Sequence, residues 1–217
     1  SLAKIASAMT ALDQAPDLAQ QVTVLPNEYT LRGGNLRLQA GETVSFKDLL
    51  FASIVGSANN AAYALPRLLG ISDEEYAREM NRKAVALDLE TLRFTDPAGF
   101  DPKNVGSAYD LARLAAEAFA RYPLIAEAAA TREYRIIAQG SEREHVIRNT
   151  NKHLSDLDPG TESKTGYLDE ALFCLVLTKH VDGKRLVAVV LGHPSETGAI
   201  HDARALLDLA VTRLTGT

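Results

Sequence analysis

The first four residues of the chain, Ser1-Leu2-Ala3-Lys4, place a hydroxyl and an amine three positions apart. On an α-helix this spacing puts both side chains on one face, with Cβ atoms about 5–6 Å apart. A serine hydroxyl is a weak nucleophile until a base takes its proton, and a lysine of lowered pKa can be that base. The pair predicts a nucleophile, Ser1, and a general base, Lys4. Taken alone, the fragment also fits a capping serine and a solvated lysine.

A second polar pair, Ser57 and Asn59, falls on a turn between two predicted helices. Ser45 and Asp48 fit a capping box that starts the first helix, and Gly70 ends the second one. A turn held between buried helices is a rigid place for catalytic groups, and the second serine could relay a proton. The competing interpretation is that Ser57 or Asn59 only caps the following helix.

The third piece, Lys164-Thr165-Gly166, leads into the most strand-like part of the chain. Two apolar runs follow it, joined by a hairpin turn at Asp182-Gly183, and the triplet is expected on a strand that pairs with the first run. There the lysine is a point charge for a carboxylate, the threonine is a donor, and the glycine lets backbone approach closely. The alternative is the start of a surface strand with an exposed lysine.

In this order, the three pieces resemble those of the low-molecular-mass penicillin-binding proteins, the serine D-alanyl-D-alanine carboxypeptidases of the S11 peptidase family. The resemblance covers nearly the whole chain, because several connecting stretches also look like the family's. These stretches are residues 38–44, 95–101, 107–112 and 149–151.

The resemblance implies a covalent mechanism. Ser1 would attack the carbonyl between two D-alanines of a peptidoglycan stem peptide, with Lys4 as the base. Ser57, held by Lys4 and Asn59, would pass the proton to the leaving D-alanine, and water would release the acyl-enzyme. β-Lactams would acylate Ser1 and leave slowly. A second oxyanion donor is expected near residues 168–170. The residues expected to bind substrate are Lys164, Thr165, Gly166, Tyr167 and His193.

The chain departs from the family pattern at several positions. Ala58 and Leu172 stand where many relatives have glycine, and Tyr167 stands where some have histidine. His193 follows the last strand, where the family often has a basic residue that binds carboxylate. The family also has a signal peptide and two strands before its Ser-x-x-Lys, and we expect these to be trimmed here or replaced by another segment. If Ser1 were a true N-terminus, its own amine would be an alternative base.

The expected fold is α+β, of the penicillin-binding-protein and β-lactamase type. A helical lobe at about 15–160 would lie beside a small antiparallel sheet at about 161–217, flanked by helix 1–13 and the last helix. Residues 1–217 would form a single catalytic domain with the site between its lobes.

Further local signals place the remaining elements. Ser72 and Ser107 are expected to start helices, and Pro123 is expected to end the second of these. Two short strands are predicted at 134–138 and 145–148.

Composition restricts the classes of function. The 217 residues are 46% hydrophobic and 24% charged, as in soluble globular proteins. The net charge of -5 argues against a nucleic-acid partner. No apolar run approaches the ~18 residues of a membrane span. The five histidines show no zinc-ligand spacing, so neither a metal nor a cofactor is expected. The resemblance implies an extracytoplasmic location, in the periplasm or cell envelope.

Three alternatives remain open. A class A β-lactamase shares the three motifs but needs a positioned glutamate, for which Glu90 lies in the right region. A D,D-endopeptidase of the same fold would use the same residues on a crosslink. A non-catalytic sensor of β-lactams or peptidoglycan would be acylated without turnover.

Overall fold

A computed structural model describes residues 1–23, 25, 31–39, 41–141 and 143–216. One residue of the 38–44 stretch, Ala40, lies outside the described residues. The helices found in this part are α1 (Ala3–Asp13), α2 (Phe46–Val55), α3 (Asn59–Leu68), α4 (Asp73–Ala86), α5 (Ala108–Arg121), α6 (Pro123–Ala130) and α7 (Glu196–Thr215). The strands are β1 (Gln21–Val22), β2 (Val44–Ser45), β3 (Glu133–Ile137), β4 (Glu144–Arg148), β5 (Ser163–Leu168), β6 (Leu172–Val181) and β7 (Lys184–His193).

Side-chain caps start three of the helices as predicted. Ser45 begins α2 with a complete capping box, in which its hydroxyl accepts from the Asp48 N–H and the Asp48 carboxylate accepts from the Ser45 N–H. Ser72 and Ser107 cap α4 and α5 in the same way through their hydroxyls. Each cap satisfies a backbone donor that has no partner within the helix.

Helix α6 was not predicted. We expected Pro123 to end the preceding helix, and α5 does end just before it, at Arg121. Pro123 is also the first residue of α6, however, because its fixed φ and missing N–H suit the first turn of a helix. The same residue therefore separates two helices.

The predicted sheet is the three-stranded antiparallel sheet β5-β6-β7. Gly166 lies opposite Cys174 in the register of β5 and β6. The turn between β6 and β7 has positive φ at Asp182 (50°) and Gly183 (73°), as a type I′ hairpin requires. Strand β5 is at one edge of the described sheet, so one side of its backbone is open to a neighbouring molecule.

The helical lobe is less purely helical than expected. The hairpins β1–β2 and β3–β4 both lie within residues 15–160, and the second matches the strands predicted there. Helix α1 was grouped with the sheet, but the structure packs it against helices α2 to α6. Its side chains are buried from Ala3 to Ala11 because neighbours surround it on every side.

Two apolar clusters enclose the sheet. The main core contains α1 and the other helices of the lobe, and Val176 of β6 joins it from one face of the sheet. Leu175 and Leu177 of the same strand face the other way and pack with Ala203 and Leu207 of α7. This alternation is the period of two expected for a strand buried on both faces. Within the described residues, no helix is both long enough and apolar enough to span a bilayer.

Candidate active site

The Ser1 hydroxyl and the Lys4 amine are in direct contact. Ser1 lies one residue before Leu2, the N-cap of α1, and Lys4 Nζ in the first turn donates to Ser1 Oγ at 2.9 Å. The same nitrogen donates to Asn59 Oδ1 at 2.8 Å and to the Ala98 carbonyl at 2.7 Å. All three donors of an ammonium group therefore have acceptors. With an exposure of 0%, the lysine is held in one position beside the serine.

The surroundings of Lys4 favour its neutral form. Burial is the largest cause, and it lowers the pKa of Lys4 well below the usual 10.5 because the charged form loses its hydration. The positive charge of Lys164 lowers this pKa further, whereas the negative charge of Asp96 raises it. A lysine with a depressed pKa can accept a proton from a hydroxyl near neutral pH.

A second lysine–serine contact lies on the other side of the site. Lys164 Nζ donates to Ser57 Oγ at 2.8 Å and to the Thr165 carbonyl at 2.8 Å. We expected Ser57 to be held by Lys4 and Asn59, but its hydroxyl contacts Lys164 instead. Burial lowers the pKa of Lys164 to about 7, so its charge is sensitive to pH in the neutral range.

The turn that carries Ser57 is conformationally strained. Ser57 has a φ of 54°, which is uncommon for a residue with a Cβ. The N-cap of α3 is Ala58, which makes no side-chain capping bond, so the capping interpretation of Ser57 and Asn59 is wrong. Strain of this kind persists where surrounding contacts fix the backbone, and it is frequent in active sites.

Asn59 connects three parts of the site. Its Oδ1 accepts from Lys4, and its Nδ2 donates to the Arg32 carbonyl at 2.6 Å. Its backbone N–H donates to the Gly34 carbonyl at 2.7 Å. The amide orients the catalytic lysine and fixes the loop of residues 31–36 over the start of α3.

The residues that follow Lys164 on β5 face the same opening. Thr165 Oγ1 lies 2.6 Å from the hydroxyl of Thr150. A Cβ at Gly166 would come within 3.6 Å of Leu2, an ordinary contact, so packing within the protein does not itself require glycine there. The side chain of Tyr167 is about half exposed, and its ring lies against that of Phe173 with centroids 4.7 Å apart.

These groups surround a cleft of about 770 Å³ between β5 and the helices. Six predicted site residues line it, whereas the two lysines lie behind the serines. Of residues 168–170, expected near a second oxyanion donor, Leu168 is at the cleft wall. The lining residues that were predicted are Ser1, Ser57, Asn59, Thr165, Gly166 and Tyr167.

His193 does not contribute to this lining. Its ring is instead held at the start of α7, where Nδ1 accepts from the Ser195 N–H at 3.0 Å. The backbone at that helix start provides the partner of the ring, so the structure does not group His193 with the other predicted site residues, and its substrate-binding role stays a prediction. Glu90, the residue considered for a β-lactamase, is exposed and also lies outside the lining.

Sequence reasoning missed the contribution of two loops to the site. Gly33 and Gly34 line the cleft, and Asn60 fixes their loop through two hydrogen bonds with the Leu36 backbone. The Gly-Gly pair was the available signal. The second loop, residues 96–101, supplies the Ala98 carbonyl that accepts from Lys4.

The stretch 149–151 holds β5 from outside the sheet. Asn151 Nδ2 donates to Ser163 Oγ at 2.9 Å, and the Thr150 N–H donates to the Val55 carbonyl at 3.0 Å. These bonds connect the end of α2, close to Ser57, with the strand that carries Lys164. No group of three or more His, Cys, Asp or Glu residues in the described part of the chain is arranged to hold a metal ion.

Comparison with known proteins gives consistent matches. The model of peptidase family S11, described as D-alanyl-D-alanine carboxypeptidase, matches residues 1–195. The D-alanyl-D-alanine carboxypeptidase DacF of Bacillus subtilis is 29% identical over 208 residues, which are 94% of this chain and 53% of that protein. A D-alanyl-D-alanine endopeptidase of Pseudomonas aeruginosa is 30% identical over 193 residues, which are 88% of this chain and 62% of that protein.

The chain therefore spans between half and two thirds of the length of these two relatives. Among solved structures, a mutant of a Streptomyces DD-transpeptidase aligns with a TM-score of 0.87 at 26% identity. That alignment covers 96% of this chain and 86% of the other. The similarities confirm the predicted fold class and the resemblance stated from the sequence.

Proposed function

The chain belongs to the S11 peptidase family of D-alanyl-D-alanine carboxypeptidases, and we propose that it is a serine peptidase that removes the terminal D-alanine from peptidoglycan stem peptides. The observation that carries this proposal is the pair of lysine–serine contacts, Lys4 with Ser1 and Lys164 with Ser57, around one cleft. One pair can activate a nucleophile, and the other can protonate the leaving group.

Acylation would start at Ser1. Its Oγ attacks the carbonyl carbon of the scissile D-alanyl-D-alanine bond while Lys4 Nζ takes the hydroxyl proton. The depressed pKa of Lys4 supports this role, since a base must be unprotonated before it acts. The fixed contact between the two atoms supports it too, because a positioned base avoids the entropic cost of meeting its partner.

The leaving D-alanine would be protonated by Ser57. When the C–N bond breaks, the departing amine needs a proton, and Ser57 is proposed to pass it one that originates from Lys4. Lys164 donates to Ser57 Oγ, which leaves the O–H of that serine free to point at the amine. Asn59 Oδ1 holds Lys4 in its position beside Ser1.

The terminal carboxylate of the substrate is proposed to bind near Lys164 and Thr165. The ammonium of Lys164, which lies behind Ser57, and the Thr165 hydroxyl at the cleft wall are suitable partners for a carboxylate. The open edge of β5, from Thr165 to Leu168, could pair with the peptide backbone as an added strand. Water then hydrolyses the Ser1 ester and regenerates the hydroxyl.

Several further assignments follow from this proposal. β-Lactams would acylate Ser1 as slowly released inhibitors, and the site of action would be extracytoplasmic, where peptidoglycan lies. The continuous main core from α1 to β6 supports one catalytic domain over residues 1–217. Net charge offers no support for a nucleic-acid partner.

A D,D-endopeptidase is the second candidate, because the Pseudomonas relative carries that name at 30% identity. The two activities use the same catalytic residues and differ in the leaving group. The leaving amine belongs to a single D-alanine in the carboxypeptidase reaction and to the side chain of a crosslinked neighbouring peptide in the endopeptidase reaction. A sensor that is acylated without turnover is the third.

One experiment separates the three candidates. The protein is incubated with a pentapeptide-containing muropeptide and, separately, with a purified crosslinked dimer, and the products are resolved by mass spectrometry. Loss of one alanine from the monomer supports the carboxypeptidase. Splitting of the dimer without loss of alanine supports the endopeptidase. Neither reaction, combined with a stable penicillin adduct, supports the sensor and contradicts the proposed peptidase.

A further inference from the structure

Asp96 is a buried carboxylate that organises a loop of the active site. Its two oxygens accept hydrogen bonds from four donors in the residues that follow it. The donors are the backbone N–H groups of Ala98 (2.7 Å), Phe100 (3.1 Å) and Asp101 (2.8 Å) and the side-chain amide of Asn104 (2.7 Å). Several N–H groups converging on one carboxylate hold a loop in a single conformation.

This conformation directs two successive carbonyls at the catalytic pair. The Ala98 carbonyl accepts from Lys4 Nζ at 2.7 Å, and the Gly99 carbonyl accepts from the backbone nitrogen of Ser1 at 3.0 Å. Gly99 has a φ of 66°, and a Cβ there would come within 2.9 Å of Ala3 Cβ and Ser1 N. The loop is pressed against the start of α1 so closely that only glycine fits.

We propose that Asp96 is a positioning residue for the Ser1–Lys4 pair, acting through the loop carbonyls of residues 98 and 99 and through its own negative charge. The catalytic meaning of this inference rests on the proposed function. The effect of Asp96 on the protonation of Lys4 can be measured without any reaction.

The charges around Lys4 determine whether the loss of the Asp96 charge raises or lowers the pKa of this lysine. The charged groups that act on this lysine are Lys164 from β5 and Asp96 from the loop, and Tyr63 of α3 also faces Asp96. Burial alone would raise the pKa of Asp96, but the hydrogen bonds from its loop outweigh burial and lower it. Asp96 is therefore ionised at neutral pH and favours the protonated form of Lys4. Removing its charge should lower the pKa of Lys4.

The test compares Asp96→Asn with the wild-type protein by NMR. The side-chain Cε of lysine is labelled with ¹³C, the Lys4 signal is assigned by its absence in Lys4→Met, and its titration is followed with pH. We expect the midpoint in Asp96→Asn to move to lower pH by about 0.5–1 unit, since a nearby opposite charge has been removed. The matched control is Asp101→Asn, which removes a charge from the same loop. The Asp101 carboxylate accepts from the Lys103 N–H and makes no hydrogen bond to Ser1 or Lys4. The Lys4 midpoint in Asp101→Asn should equal that of the wild type.

The second readout is the rate of acylation by a fluorescent penicillin. Asp96→Asn should acylate at least about tenfold more slowly, because small displacements of a catalytic pair reduce rates steeply. If Asp96→Asn does not fold, Asn104→Ala removes one donor and keeps the charge, and it too should slow acylation. The proposal is overturned if the titration midpoint of Lys4 in folded Asp96→Asn equals that of the wild type. It is also overturned if Asn104→Ala is acylated at the same rate as the wild type. A wild-type protein that is never acylated contradicts the proposed function instead, and the NMR titration still decides the role of Asp96.

Discussion

Lys164 and Ser57 are 107 positions apart in the chain, yet the lysine amine donates to the serine hydroxyl at 2.8 Å. This contact separates the two lysines of the site, because Lys4 binds Ser1 and Lys164 binds Ser57. The lysines remain coupled through charge, since Lys164 lowers the pKa of Lys4. Each lysine therefore has its own hydroxyl, and the protonation of one affects the other.

Replacing Lys4 by alanine should leave penicillin binding possible but make acylation slow. The variant keeps Ser1 but removes the base that takes its proton, a loss that typically costs about 10²–10⁴ in rate. The measurement is the rate of adduct formation by stopped flow or intact mass at neutral pH. Lys47→Ala, at a partly exposed lysine outside the cleft, is the control and should react like the wild type. An unchanged rate in Lys4→Ala would remove this lysine from the mechanism.

The rate of peptide hydrolysis should depend on pH with a maximum. Lys4 must lose its proton to act, so activity should rise with pH through its lowered pKa. Lys164 must keep its proton to bind carboxylate well, so affinity should fall as pH rises through its pKa of about 7. Opposed requirements of this kind give a bell-shaped profile of kcat/KM.

Lys164→Arg tests which group produces the alkaline limb of that profile. A guanidinium stays charged over the whole accessible range, so the limb should move to higher pH in this variant, even if the maximum rate is lower. The measurement is kcat/KM for D-alanine release from pH 5 to 10. An alkaline limb at the same position in Lys164→Arg would show that another group is responsible.

The strained φ of Ser57 predicts a difference in stability between two variants that both lose the hydroxyl. Ser57→Gly and Ser57→Ala both lose the hydroxyl and should both impair turnover. Glycine adopts a φ of 54° freely, whereas alanine keeps the strain, so Ser57→Gly should be about 1 kcal/mol more stable than Ser57→Ala. The free energies of unfolding in urea measure this difference. Equal stabilities would mean that the turn is not strained.

Leu172 is a second strained residue, at the turn between β5 and β6. It has a φ of 54° and is 38% exposed, so truncation removes the strain but also loses part of the burial of its side chain. Leu172→Gly should therefore be about 0.5–1 kcal/mol more stable than Leu172→Ala, which loses nearly the same burial and keeps the positive φ. The matched control is the same pair of substitutions at Leu168, the opposite register position, which lacks the positive φ, so its glycine variant should be the less stable one. A Leu172→Gly variant that is less stable than Leu172→Ala would contradict the argument.

Local signals in the sequence predicted the elements well. The caps at Ser45, Ser72 and Ser107 and the hairpin at Asp182-Gly183 each depend on residues close together in the chain, so short patterns were sufficient. The prediction for Pro123 was incomplete, because the same residue can end one helix and begin the next.

The long-range contacts of the site could not be predicted in this way. The three motifs named the residues that meet, but the partner of Ser57 depends on how β5 lies beside the turn between α2 and α3. Asp96 was only part of a recognised stretch, and its role depends on a loop folded around one carboxylate. His193 was placed by its distance from a strand, whereas the start of α7 determines where its ring lies.

The most direct test of the central claim is the mass of the intact protein after incubation with a penicillin, followed by peptide mapping. The wild type should gain the mass of one penicillin on the peptide that contains Ser1 and lose it slowly, and Ser1→Ala should gain nothing. An adduct that persists in Ser1→Ala, or a folded wild-type protein that never gains mass, would contradict the assignment of Ser1 as the nucleophile of this site.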